Sequence, residues 1–158
     1  MAGPERVAAI YLRGVSGRRP TVPIEMAALE EAAERAMSPE AFAYVAAGAG
    51  NEATKRANEE GFHRWRIVPR MLRDVSRRDL STEILGRRIP VPLMLSPVGV
   101  LEMAHRDADA AVARGAAAEG VPMIFSNQAS VPMEACAREM GDAPRWFQLY
   151  WSTSNELV

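Results

Sequence analysis

The chain has 158 residues, 48% of them hydrophobic, with 19 basic against 20 acidic side chains. That length and apolar content suit a folded domain with its own core and exclude a disordered segment. A net charge of −1 leaves no electrostatic footprint for nucleic acid or an anionic membrane. The locally basic stretch 64–88 is broken by Asp74, Asp79 and Glu83, as on a solvated surface.

Cys136 is the single cysteine, and His63 and His105 are the two histidines. No intrachain disulfide can form, which suits a reducing compartment. No Cys/His set has metal-ligand spacing, so no metal is expected. No apolar run approaches the roughly 20 residues of a membrane span, and the N-terminus shows no secretory pattern. A soluble, cytoplasmic protein is expected.

Taken in order, residues 1–22 contain Gly14, Gly17, Pro20 and a small basic cluster and read as a flexible, poorly ordered arm. Residues 23–90 read as a helical prelude with a small hairpin. Met26, Leu29, Ala33 and Met37 recur at helical spacing after Pro23 and Glu25, which suit a first turn. Ser38-Pro39-Glu40 restarts a helix over 39–47, with Ser38 as N-cap and Gly48 as its stop. Phe42 and Val45 lie on its packing face, and Tyr44 projects near its end. Asn51 is a cap for a third helix over 52–60, closed by Gly61. Residues 62–72 read as extended or irregular, and Ile84-Leu85-Gly86-Arg87-Arg88-Ile89 as a hairpin around Gly86.

From residue 91 a strand–helix rhythm begins. A buried strand over 91–95 is expected from the continuous run Leu93-Met94-Leu95, which suits a strand covered on both faces. It ends in Ser96-Pro97-Val98-Gly99, where proline removes a donor and glycine admits a close neighbour. Then come a helix over 107–119 ended by Gly120, a strand over 122–125, a helix over 132–140 capped by Ser130 and ended by Gly141, and a strand over 146–150. A further helix should start within Ser152-Thr153-Ser154-Asn155. The spacing of roughly 25–30 residues fits βα units. Three such units imply either a small open α/β domain or the front part of a (β/α)8 barrel, which takes about 250 residues. The ending at Val158 without cap or tail favours the second.

Residues 96–99, Ser126-Asn127-Gln128, and Gln148 with Tyr150 all fall at strand ends. In a parallel sheet they share one rim, which is where α/β folds bind ligands. The rim offers amides, a hydroxyl and a phenol but no strong base, so it suits a polar planar ligand better than acid–base work. Ordinary capping also places polar groups at strand ends. On pattern alone Tyr44 is a core-edge aromatic, His105 has a structural role beside Asp107, and Cys136 is a core residue.

Several ordered blocks together resemble the FMN-dependent α-hydroxy-acid oxidases and dehydrogenases, over about three quarters of the chain. They are Tyr44-Val45-Ala46-Ala47-Gly48-Ala49, Phe62-His63-Arg64-Trp65-Arg66-Ile67-Val68-Pro69-Arg70, Leu85-Gly86, residues 92–100, Met103-Ala104-His105, Phe125-Ser126 and Phe147-Gln148-Leu149-Tyr150. Within the family the detail is most similar to the lactate 2-monooxygenases: Gly99 stands where many relatives have alanine, and Asn127-Gln128 where glycolate oxidases tend to have Ser-Trp.

The resemblance implies an N-terminal portion of a (β/α)8 TIM barrel, about three βα units over 91–158, with FMN at the carboxyl ends of the strands. It places Pro97, Val98 and Gly99 along the flavin, Ser126 and Gln148 on its ring, and Tyr44 and Tyr150 on the substrate carboxylate or hydroxyl. It implies oxidation of an L-2-hydroxy acid, L-lactate first, to acetate, carbon dioxide and water with O2. The alternatives are another 2-hydroxy-acid oxidase or dehydrogenase, acting on glycolate or mandelate or as a lactate oxidase, or a non-catalytic remnant that binds a homologous subunit. No catalytic residue is expected within the chain: the family's histidine base, arginines and lysine belong to later strands, beyond Val158. His105 matches the early Met-Ala-His loop, not that base. The chain alone is expected to be inactive and to bind FMN weakly, and the full-length family to form homo-tetramers or octamers.

Overall fold

The structure, a computed structural model, describes residues 3–156. Met1 and Ala2, and Leu157 and Val158 at the expected fourth element, lie outside the described residues. The chain divides into two compact units, Met1–Gly48 and Ala49–Val158.

The first unit is helical. Helix α1 spans Gly3–Val15, where the sequence reading has an irregular arm. The glycines and proline behind that reading sit at or beyond the end of α1, whereas its interior is rich in helix formers such as Ala8, Ala9 and Leu12. Glu5 in the first turn and Arg13 in the last complement the helix dipole. Helix α2, Met26–Ala36, starts at Glu25, whose carboxylate accepts the Ala27 and Ala28 N–H groups at 3.1 and 2.8 Å. Helix α3, Pro39–Ala46, starts as expected: Ser38 Oγ accepts the Ala41 N–H at 3.2 Å and proline occupies the first turn. Met26, Leu29 and Ala33 of α2 and Phe42 and Val45 of α3 line one apolar groove.

The second unit opens with α4, Ala53–His63. Asn51 Oδ1 accepts the Ala53 N–H at 3.1 Å, but Glu52 turns the chain in the left-handed region at φ 59°. The helix therefore starts one residue later than expected. It also runs through Gly61, which a helix interior tolerates at about 1 kcal/mol. Strands β1, Thr82–Ile84, and β2, Arg87–Ile89, pair antiparallel with Ile84 opposite Arg87. Leu85 and Gly86 both have positive φ, 49° and 74°, as a two-residue type I′ turn requires. The hairpin around Gly86 is as expected, and its Ile89 is fully buried.

The α/β layer consists of β3, Met123–Ser126, and β4, Arg145–Gln148, paired parallel, with α5, Ala108–Glu119, and α6, Met133–Met140. Met123 and Phe125 alternate onto the helix-facing side of β3. There they form the core with Ala113 and Ala116 of α5 and Cys136 and Met140 of α6. Small alanines on α5 let it sit close to the sheet. Gly120 and Gly141 end the two helices in positive-φ caps, as expected.

The strand expected over 91–95 is reduced to one parallel bridge, Leu95 to Met123. Leu95 N–H donates to Pro122 O at 2.9 Å, and Ile124 N–H donates to Leu95 O at 3.0 Å. Upstream, Pro90 and Pro92 have no N–H to offer, and Leu93 N–H closes a tight turn onto Val91 O at 2.8 Å. Leu93 is exposed, so the apolar run is not covered on both faces here. Strand β4 ends at Gln148, short of the expected 150, and no helix forms at 152–155.

Candidate functional site

Three chain segments meet at the carboxyl end of the β3–β4 pair, and the backbone ties them together. Val100 N–H donates to Gln128 O at 3.0 Å, joining the turn after Leu95 to the turn after β3. Glu102 N–H donates to Ser130 Oγ at 3.1 Å, a second tie between the same turns. Ser130 is thus spent here and does not cap α6, whose N-cap is Pro132. Asn127 N–H donates to Gln148 O at 3.2 Å, joining the turn after β3 to β4. The rim expected from the strand ends exists for residues 96–99, Ser126-Asn127-Gln128 and Gln148.

Ser126 and Gln148 are directly paired in the parallel register, so their side chains leave the same face of the sheet side by side. That face is opposite to Met123 and Phe125, hence away from the helices. Ser126 is 5% exposed. Its Oγ accepts the Gln128 N–H at 3.0 Å, which leaves the hydroxyl proton to be donated elsewhere. Gln148 is half-buried beside it. Pro97 and Gly99 are half-buried and Val98 is exposed. Tyr150 follows β4 and is exposed. Tyr44 is an exposed residue of α3 in the first unit.

Gly99 packs closely on Gln128 and has no left-handed backbone angle. Its φ lies outside the left-handed region, and a Cβ built on it would stand 3.0 Å from Gln128 Cβ and 3.4 Å from Gln128 O. The next residue carries the strain instead: Val100 has φ 55° and ψ 36°, which costs a β-branched residue about 1–2 kcal/mol. The Val100–Gln128 hydrogen bond holds it, and Met103 N–H donates to Val100 O at 3.1 Å to start the 3-10 turn Leu101–Met103.

Sequence reasoning passes over Asp109, which supports this rim from below. It is 1% exposed on α5, and its Oδ2 accepts the Ser130 and Val131 N–H groups at 2.8 and 3.2 Å. A buried carboxylate with two charge-assisted bonds fixes where the turn after β3 enters α6. The signal available was an acidic residue in an otherwise alanine-rich helical face.

His105 is structural, as expected: its Nδ1 accepts the Asp107 N–H at 3.1 Å. Cys136 is fully buried, and burial, followed by the negative charges of Asp109 and Glu139, pushes its thiol pKa up. A thiol in that setting is no nucleophile. Among the described residues no group of three His, Cys, Asp or Glu could hold a metal ion, and no helix is long and apolar enough to cross a membrane. The rim therefore offers hydrogen-bond donors and acceptors on a rigid edge, with no acid–base pair.

A family model described as FMN-dependent dehydrogenase matches residues 33–158. An L-lactate oxidase of Lysinibacillus sphaericus is 36% identical over 149 residues, which cover 94% of this chain and 38% of that relative. The human 2-hydroxyacid oxidase 1 is 36% identical over 129 residues, 82% of this chain and 35% of that protein. The crystal structure of a lactate oxidase from Pediococcus acidilactici superposes with a TM-score of 0.80 at 34% identity, covering 86% of this chain and 38% of that one. A mandelate oxidase structure gives 0.79 at 35% identity, covering 85% and 40%. The chain belongs to the FMN-dependent dehydrogenase family, whose cofactor is FMN. It spans between a third and two fifths of the length of these relatives.

The rim fits such a cofactor in the chemistry of its donors. The Ser126 hydroxyl proton and the Gln148 amide stand together on one face, where a planar heterocycle presents both acceptors and donors.

Proposed function

We propose that this chain forms the first part of a (β/α)8 barrel, its first three βα units, and supplies the ring-binding edge of an FMN site in an enzyme that oxidises an L-2-hydroxy acid. The observation that carries this reading is the pairing of Ser126 with Gln148 on one face, at the carboxyl end of parallel strands. FMN, when bound, supplies the redox chemistry by accepting the electrons of the substrate α-carbon. The chain's residues bind and orient. Ser126 donates its hydroxyl proton and Gln148 its amide to the ring, and the Pro97-Val98-Gly99 turn lines it. Tyr44 and Tyr150 hold the substrate carboxylate or hydroxyl. The rim contains no strong base, so the hydroxyl proton of the substrate leaves to a group the rim does not hold.

L-lactate is the substrate we favour, with acetate, carbon dioxide and water as products, on the likeness to the lactate 2-monooxygenases at Gly99 and Asn127-Gln128. Glycolate and mandelate are the alternatives. A homo-oligomer belongs to the same proposal. Binding of FMN to the chain, read by quenching of flavin fluorescence, tests the site. At about 0.5–1.5 kcal/mol per hydrogen bond, Ser126→Ala and Gln148→Ala should each weaken binding roughly 2–12-fold. Wild-type affinity in both variants overturns the site. Product analysis of the native protein with L-lactate, glycolate and mandelate then separates the substrates.

A further inference from the structure

We propose that Asp109 is a positioning residue for the Pro97-Val98-Gly99 turn, acting on it through Ser130; its consequence for flavin rests on the function proposed above. The turn and the loop that follows it are held along one neighbouring segment. Leu95 N–H donates to Pro122 O at 2.9 Å where the turn begins, and Val100 N–H donates to Gln128 O at 3.0 Å where it ends. Further on, Glu102 N–H donates to Ser130 Oγ at 3.1 Å. The same loop then runs into α5, where Asp109 accepts the Ser130 and Val131 N–H groups at 2.8 and 3.2 Å. Ser130 is thus joined on both sides, by its N–H to the buried carboxylate and by its hydroxyl to the loop that continues the turn.

Neither turn closes on its own side chains. The 3-10 turn Leu101–Met103 has Val100 at its N-cap and α6 has Pro132, and neither makes a side-chain cap bond. The first N–H groups of a helical turn lack partners within it, so Glu102 depends on a hydroxyl from the other loop. That hydroxyl keeps its place only while the Ser130 backbone does, and the Ser130 N–H is fixed by Asp109. The carboxylate is unfavourable where it stands. It is 1% exposed, and a buried charge opposes folding unless hydrogen bonds compensate it. The other buried positions of α5 are alanines, Ala108, Ala113 and Ala116, which pack without any such penalty. A charge at 109 is explained by what it holds, and what it holds is the residue that anchors the loop behind the Pro97-Val98-Gly99 turn.

The test is amide hydrogen exchange on the full chain without flavin, in Asp109→Asn, Ser130→Ala and the double variant. Exchange at Glu102 is read against exchange at Phe125, a fully buried residue of β3. A general loss of stability speeds Phe125 at least as much as Glu102 and cannot raise that ratio; only a local opening of the loop can. Ser130→Ala, which removes the acceptor outright, should raise the ratio at least about fivefold. Asp109→Asn, which weakens the hold on Ser130, should raise it at least about threefold. In the Ser130→Ala background, adding Asp109→Asn should change the ratio by less than about 1.5-fold, because the path is already cut. A ratio that stays level or falls in Asp109→Asn overturns the proposal, and so does a full threefold effect of Asp109→Asn in the Ser130→Ala background. Ser130→Ala should also weaken FMN uptake at least about twofold, and unchanged affinity in a chain that binds FMN counts against the proposal equally. Because exchange is read without flavin, a wild-type chain that takes up no FMN would refute only the site reading.

Discussion

Replacing Asp109 by alanine removes the one acceptor for two backbone donors at the entry to α6. Ser130 and Val131 N–H groups then have no partner in a half-buried turn, and helix α5 leaves a gap where the carboxylate stood. An orphaned donor costs about 1–3 kcal/mol. Both groups are partly rather than fully buried, so the lower half of that range applies, and the pair costs about 2–4 kcal/mol. That is a large share of the 5–15 kcal/mol typical of a domain. Asp109→Asn offers a discriminating control. Both bonds reach the same carboxylate oxygen, Oδ2, so an amide carbonyl in that place keeps both as neutral bonds at a cost of about 1 kcal/mol. Urea unfolding followed by tryptophan fluorescence measures the two midpoints, with the slope checked for constancy. An Asp109→Ala variant within about 0.5 kcal/mol of wild type would refute the reasoning. So would an asparagine variant as costly as the alanine one.

Two further tests address the helices. The Glu25 carboxyl is held below its ordinary value of 4.5, first by the Ala28 N–H and then by the Ala27 N–H. A depressed folded-state pKa stabilises above the unfolded value and is lost as pH falls through the folded one. Helical ellipticity should therefore drop in part below pH 4.5, and Glu25→Gln should remove that component of the titration. A titration indistinguishable between the two proteins contradicts the cap. Cys136, buried with a raised thiol pKa, should react with a thiol reagent at pH 8 only through opening of the α5–α6 seam. Its rate should climb with sub-denaturing urea, and reaction at the rate of an unstructured cysteine in plain buffer would place it outside the core.

Local chemistry made much of this chain legible. Ser38-Pro39 marks the start of α3 because a hydroxyl acceptor and a fixed φ act within one turn. Leu85-Gly86 marks the hairpin because glycine suits the positive φ that the turn needs. Gly120 and Gly141 mark helix ends for the same kind of reason. The strand-end positions of Ser126 and Gln148 follow from counting along βα units. In each case the cause lies within a few residues of its effect, so the sequence carries it.

Other features depend on partners far along the chain. Whether residues 91–95 form a strand is decided by how many hydrogen bonds a neighbour offers, and only Leu95 meets β3. The pairing of Ser126 with Gln148 requires the parallel register, which local sequence does not set. Asp109 looks like one more helical acid until the turn 21 and 22 residues later delivers two N–H groups to it. Gly99 reads as a glycine that admits a close neighbour, but that the neighbour is Gln128, 29 positions on, is not in the sequence. Sequence by itself determined the family, the turns and the helix ends. Tertiary structure decided which polar groups share the rim, because packing and long-range hydrogen bonds act between positions that no local pattern connects.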